Sequence, residues 1–323
     1  MRAIVVGLGG WGSSSTRVIG DGGWDIAAWV DVNPAALERA VTNLSAEPGS
    51  CYATLDEALA NVDADAVLIC TPPDKGRARD IVAAMDAGLH VLVDKPLTTT
   101  PEEMATIVEA HRKSSVKFMV AQNYRWYPGA ELMRRTIESG ELGPLGYANV
   151  YYHMAENMRG HHIVEMAHGL VLGMCVHHLD LMRFVTGAEP ETIWARTWNP
   201  PWSWTKADAC AESLITFDGS VAVNYFAGWA AHHSATGWFG QWHLEFEHGA
   251  LLTDGVKSSI VRDGQRTEIE GPEIDPPNYT RAGVLREFTS AIEEDRTPEC
   301  SVEDNARTMQ MAFDIIESAE HDS

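Results

Sequence analysis

Residues 3–6 are Ala-Ile-Val-Val, and Gly7-Leu8-Gly9-Gly10-Trp11-Gly12 follows at once. A short apolar run of this kind reads as a buried parallel strand. The glycines fit G-x-G-x-x-G, and a helix-compatible stretch runs from Ser13 to Ile19. A second strand, Asp25 to Val30, ends at Asp31, 19 residues beyond Gly12, close to the roughly 20 expected for an acid that binds a ribose. Each part has a physical task. Gly7 permits a tight turn, Gly9 lets the backbone approach a pyrophosphate, and Gly12 lets the helix pack closely on the strand. The helix N-terminus then offers free N–H groups and the positive end of its dipole to the phosphates. Strand, loop, helix, strand and terminal acid in that order predict a Rossmann dinucleotide site. Asp31 accepts hydrogen bonds from ribose hydroxyls and repels a 2′-phosphate, which favours NAD over NADP.

The pattern continues downstream. Ala66 to Cys70 reads as another buried strand, with Thr71-Pro72-Pro73 leaving its C-terminal end. Ligands sit at that edge of a parallel sheet. Ile81 to Ala87 is helical, Gly88 stops it, and His90 to Val93 forms the next strand, ending in Asp94-Lys95-Pro96. The expected cofactor residues are therefore Gly7, Gly9, Gly10, Trp11, Gly12 and Asp31 from the first turn and strand. Thr71, Pro72, Asp94, Lys95 and Gln122 are expected from the later strand ends.

The bulk numbers restrict the partners. The 323 residues carry a formal net charge of -22, which argues against nucleic acid or an anionic membrane, since both need a basic patch. No apolar run reaches bilayer length, and the N-terminus lacks the apolar core and cleavage site of a signal peptide, so a cytoplasmic location is expected. Five cysteines without C-x-x-C argue against a disulfide framework or a zinc ribbon. His161, His162, His168, His177 and His178 are dense in sequence, but their spacings match no standard metal site, and no metal is expected.

The remainder reads as α+β. Tyr147–Met154, Glu191–Trp198, Ala211–Phe217, Val221–Gly228 and Trp242–Glu247 are rich in β-branched and aromatic residues. Asp218-Gly219 and Asp263-Gly264 are hairpin signals, so the sheet is antiparallel in the main. Gly283–Glu293 and Val302–Ser318 are helical, the second capped by Ser301 with Asp304 three residues on. The expected domains are 1–121, which binds NAD, and 122–323, which binds substrate and mediates oligomerisation. A large open sheet needs both faces covered, and a second subunit can cover one. Indole faces stack well on the C–H face of a pyranose, which singles out Trp198 and Trp202 around the prolines of "WNPPW".

"GLGGWG", "TPP", "AGLHVLVDKPL" and "HHLD" together resemble the glucose–fructose oxidoreductase / inositol dehydrogenase family (Gfo/Idh/MocA), over nearly the whole length. The resemblance implies a Rossmann domain followed by an α/β domain with a large open sheet. It also implies homodimers or homotetramers and NAD(P)-linked redox chemistry, mostly on sugars and polyols. Hydride transfer from an alcohol needs a base for the hydroxyl proton. Lys95 and His177 are the candidates, with Tyr152, Glu165, Asp180, Trp198 and Trp202 as substrate contacts. His177 and Asp180 are three apart and share a helix face, whereas His178 points elsewhere. The family pattern Asp-x-x-x-His-x-x-Asp puts its histidine on His177 and its last acid on Asp180, but its first acid falls on Gly173. A second departure is Gly76, where members often carry histidine. Lys95 and His177 then suffice alone, or Glu165, Tyr152, His161 or His162 replaces the acid, or the reaction differs. The alternatives are NAD-dependent glycoside cleavage through transient oxidation, and a non-catalytic NAD-bound sensor.

Overall fold

In the computed structural model the described residues are 1–155, 159–160, 162–219 and 221–321, less the side chains of Trp11 and Pro277. His161 and the Trp11 side chain, both singled out above, thus lie outside the described residues. The chain forms two compact units, Met1–Asn123 with Pro277–Arg307 and Tyr124–Pro276 with Thr308–Ser323. The expected boundary at 121/122 lies beside the first crossing, but residues 277–307 belong with the first unit. Burial explains their return. Trp24 Nε1 donates to Thr289 Oγ1 at 3.0 Å, its ring lies 5.9 Å from that of Phe288, and the Val120 amide donates to the Cys300 carbonyl at 2.9 Å.

The first unit alternates strands and helices: β1 (Arg2–Val6), α1 (Gly10–Asp21), β2 (Asp25–Val30), α2 (Pro34–Asn43), β3 (Cys51–Tyr52), α3 (Leu55–Asn61), β4 (Ala66–Ile69), α4 (Arg77–Asp86), β5 (His90–Val93), α5 (Pro101–Arg112) and β6 (Phe118–Val120). The strands pair in parallel in the order β3-β2-β1-β4-β5-β6. Ala3, Ile4, Val5, Ala66, Ile69, Val91 and Val93 are fully buried, as strands covered on both faces require. The order reverses between β1 and β4, and a ligand crevice is expected at the C-terminal strand ends there. Gly7, Thr71 and Asp94 leave the sheet at that edge.

The second unit contains α6 (Pro128–Ser139), β7 (Leu145–His153), α7 (Val176–Thr186), β8 (Pro190–Trp198), β9 (Cys210–Phe217), β10 (Val221–Gly228), β11 (Gln241–Phe246), β12 (Gly249–Thr253), β13 (Ser258–Arg262) and β14 (Gln265–Ile269). α8 (Pro276–Glu293) and α9 (Val302–His321) close the chain. The sheet order is β14-β13-β12-β11-β7-β10-β9-β8, antiparallel except where β10 meets β7. Asp263 and Gly264 both have positive φ in the β13–β14 hairpin, as the sequence predicts. At the β9–β10 turn Gly219 has positive φ and Asp218 does not, because Phe217 pairs with Val221 and the loop is one residue longer. Ser301 Oγ accepts from the Asp304 amide at 3.2 Å, the expected cap of α9. Side chains alternate across the sheet. Tyr152, Tyr225 and Ala227 lie buried on the face covered by α7, while Tyr147, Tyr151, Trp194 and Leu214 stand exposed on the other.

Candidate active site

The glycine loop of the first unit leaves no room for side chains where the backbone turns. Gly7 has φ +88°, and a Cβ there would lie 2.8 Å from the Thr71 amide nitrogen. A Cβ on Gly12 would lie 1.9 Å from the Gly7 carbonyl oxygen. Gly9 and Gly10, by contrast, face nothing within 4 Å. α1 starts at Gly10 with Gly9 as its N-cap and no side-chain cap, so its first N–H groups are open to an anion. Asp31 ties this loop to β2: Oδ2 accepts from the Leu8 amide at 2.7 Å and Oδ1 from the Asn33 amide at 2.8 Å. Each carboxylate oxygen keeps a further lone pair for a hydroxyl donor.

The neighbouring strand ends add polar groups. Thr71 Oγ1 and Asp94 Oδ1 are buried without a hydrogen-bond partner among the described residues. A buried polar atom left so is costly unless a ligand or water completes it. Gln122 is buried just past β6. Open amides at a helix start, an acid at the end of β2 and orphaned polar atoms at the β4 and β5 ends fit a dinucleotide with its pyrophosphate at Gly9–Gly10.

Lys95 follows β5 in a turn with a cis peptide to Pro96. Burial lowers the pKa of its ammonium from the ordinary lysine value. The Asp94 carboxylate opposes that shift, and the Arg77 guanidinium adds to it. Burial also raises Asp94, with Lys95 and Arg77 pulling it back down. A lysine so placed gives up its proton more readily than one in water.

The second unit contributes a histidine and aromatic cluster. Val171–Cys175 forms a π-helical turn that runs into α7. Such turns are frequent at functional sites. His177 is 4% exposed, and its ring stacks on Tyr124 at 4.0 Å and 7°. Asp180, three residues on, accepts two hydrogen bonds from Arg125, Nε to Oδ2 and Nη2 to Oδ1, both at 2.7 Å. The face shared by His177 and Asp180 therefore meets two consecutive residues of the turn Asn123–Trp126. His178 points to the sheet. Its Nδ1 lies 2.7 Å from Tyr225 Oη and its Nε2 lies 3.2 Å from the Trp238 carbonyl. Burial lowers its pKa to about 4, so it stays neutral and acts as an anchor.

Gly173 is filled from outside. A Cβ there would lie 2.1 Å from Ile163 Cδ1, and one on Gly169 would lie 2.1 Å from the Ile163 carbonyl oxygen. The turn His162–Val164 thus docks on a glycine pair four residues apart. An apolar side chain occupies the place where the resemblance puts a carboxylate.

The other expected substrate contacts are dispersed. Tyr152 is fully buried with its ring 5.0 Å from His178. Glu165 is exposed and pairs with Lys206 at 2.7 Å. Trp198 closes β8, where the expected strand Glu191–Trp198 ends. It lies on the sheet face opposite Tyr152, beside Phe226 and under the Arg196 guanidinium at 5.0 Å. Trp202 is 60% exposed and tied by Nε1 to the Ala230 carbonyl at 3.0 Å. The structure therefore brings Tyr152 together with His178 and leaves Glu165, Trp198 and Trp202 in different surroundings. His168 faces Glu320 at 3.6 Å, away from the partners of His177 and His178. Arg77, Tyr124, Arg125 and Ile163 escape sequence reasoning. Only Arg77 carries a signal, as a cation at the start of a helix, where the dipole disfavours it.

Residues 1–122 match the oxidoreductase family with an NAD-binding Rossmann fold, and residues 131–273 match the GFO/IDH/MocA C-terminal domain. An inositol 2-dehydrogenase of Arthrobacter sp. (strain FB24) is 31% identical over 283 residues, 82% of this chain and 77% of that protein. A 1,5-anhydro-D-fructose reductase of Ensifer adhaerens is 24% identical over 294 residues, 85% of this chain and 86% of that protein. Among solved structures, an oxidoreductase from Agrobacterium radiobacter in complex with NAD+, L-tartaric acid and magnesium superposes with a TM-score of 0.91. That match covers 100% of this chain and 97% of the other, and at 17% identity it is a likeness of fold. Among the described residues no helix is long and apolar enough to cross a membrane.

Proposed function

The chain belongs to the GFO/IDH/MocA oxidoreductase family, and from that premise we propose that it is an NAD-dependent dehydrogenase of a sugar, polyol or sugar derivative. The observation that carries this reading is Lys95, a lysine of lowered pKa at the C-terminal end of β5, in the unit that holds the glycine loop and Asp31. When bound, the nicotinamide supplies the acceptor for the hydride leaving the substrate carbon. Lys95 takes the hydroxyl proton on Nζ as the carbonyl forms. His177 of the second unit, its ring plane set by Tyr124, is the other candidate for handling the hydroxyl proton. Asp31 favours NAD, since a 2′-phosphate would meet its carboxylate.

The test is NADH formation at 340 nm across a panel of sugars, polyols and their derivatives. Lys95→Met is expected to lower kcat by about 10²–10⁴-fold, while NAD+ still quenches tryptophan fluorescence. A variant with unchanged kcat overturns the role of Lys95. Release of an aglycone from a glycoside without net NADH would move the reading to cleavage through transient oxidation.

The same premise supports a homo-oligomer built through the open sheet face. Tyr147, Tyr151, Trp194 and Leu214 are each 44–49% exposed on that one face, an apolar surface suited to a second copy. Sedimentation of Tyr151→Glu/Leu214→Glu is expected to show a smaller species than the parent chain. An unchanged assembly would rule this face out.

A further inference from the structure

We propose that Arg77 is the positioning residue for Lys95: one buried guanidinium holds the peptide carbonyls on either side of that lysine and keeps a positive charge beside it. The inference rests on Lys95 being the proton acceptor. Arg77 is the first residue of α4, preceded by Gly76 in the left-handed conformation as N-cap. The side chain is 2% exposed. Nη1 donates to the Asp94 carbonyl at 2.6 Å and to the Pro96 carbonyl, and Nη2 donates to the Thr71 carbonyl. Residues 94 and 96 bracket Lys95, and Thr71 follows β4, so one side chain ties the ends of β4 and β5 together.

A cation in the first turn of a helix is disfavoured by the helix dipole, and a buried guanidinium is costly without partners. Both penalties fall on a residue whose hydrogen bonds among the described residues go to backbone at the Lys95 turn or the β4 end. The carbonyls solvate the guanidinium without neutralising it. Its charge is still felt by Lys95, whose proton it disfavours, while the Asp94 carboxylate acts in the opposite sense. Arg281 and Cys70 also act on this group of side chains, through Asp94 and Arg77, and Asp74 lies near Arg77. A guanidinium presents a planar fork to several acceptors, whereas an ammonium does not. Lysine at position 77 would keep the charge and lose the clamp.

The experiment titrates Lys95 directly by competitive acylation of the full chain, read by mass spectrometry across pH. Hydrogen exchange of the segment 92–98 is measured alongside. In Arg77→Met the labelling midpoint of Lys95 is expected to rise, with the lowering by burial left in place, and exchange in 92–98 to quicken by about tenfold or more. In Arg77→Lys the exchange quickens in the same way while the midpoint stays low. Arg77→Gln replaces Arg77→Met if the latter does not fold. A midpoint unmoved by loss of the charge, or a 92–98 segment still protected in Arg77→Lys, would overturn the proposal. Neither readout uses turnover, so failure of the dehydrogenase reading shows only in the NADH assay.

Discussion

Asp180→Asn is expected to destabilise the protein by about 3–5 kcal/mol, read as a lower urea midpoint at unchanged m. Asp180 is 1% exposed and Arg125 is 5% exposed at the side chain. Their bidentate pair is joined by Thr308 Oγ1, which donates to Asp180 Oδ1 at 3.2 Å. The Arg125 guanidinium also lies 5.1 Å from the centre of the Phe184 ring. Removing the carboxylate charge takes the bidentate countercharge from a buried guanidinium, and that lost countercharge, more than the lost hydrogen bonds, sets the cost. Arg125→Met combined with Asp180→Leu removes both charges and is expected to cost much less than either change alone, so the double-mutant cycle shows strong coupling. Activity follows from the same geometry. Tyr124 stacks on His177 and is next in the chain to Arg125, so releasing Arg125 loosens the ring that sets the imidazole plane. The expected loss is in kcat, with KM for substrate little moved. A variant of near-parental stability with only KM raised would return Asp180 to direct substrate contact.

The legible parts of the sequence were those governed by local rules. G-x-G-x-x-G followed by a strand and Asp31 is a local pattern, and two of its glycines, Gly12 and Gly7, are required by clearances of 1.9 Å and 2.8 Å. The Asp263-Gly264 turn and the Ser301 cap depend on a few neighbouring residues. His177 and Asp180 sharing a face follows from the helical period alone. What sequence does not carry is the identity of partners far along the chain. Asp180 meets Arg125 from 55 positions away, and no rule distinguishes a carboxylate that binds substrate from one that binds arginine. Arg77 and Arg79 stand two apart in "GRARD", yet Arg79 is exposed and Arg77 is buried. Trp198 ends its strand where the sequence pattern puts the end, but alternation turns its ring to the sheet face opposite Tyr152, away from α7. The return of residues 277–307 to the first unit rests on Trp24, Phe288 and Cys300, contacts separated by more than 170 positions.

Gly173→Asp is expected to destabilise by at least about 1–3 kcal/mol, the usual cost of forcing atoms into a packed interior, with the added cost of burying a carboxylate. The Cβ alone would lie 2.1 Å from Ile163 Cδ1 and 2.4 Å from its Cγ1. Ile163 cannot withdraw as a unit, because its own carbonyl packs against Gly169 and its turn is seated on the glycine pair. The carboxylate is therefore excluded by a specific neighbour, and the remedy is equally specific. Ile163→Ala removes the clashing atoms, at a cost of its own of about 2–5 kcal/mol from the cavity it leaves. Placed together, Gly173→Asp and Ile163→Ala are expected to be less destabilising than the sum of the two, since each relieves the other's defect. Simple additivity of the two unfolding free energies would mean that Ile163 is not what keeps position 173 bare. The double variant also bears on mechanism. Gly173 lies in the π-helical turn that leads into His177, so a carboxylate accommodated there stands one helical turn from the imidazole and raises its pKa. The acid limb of kcat against pH is then expected to move to higher pH in the double variant, if the proposed role of His177 holds. An unmoved limb in a folded double variant would separate His177 from the proton-transfer step.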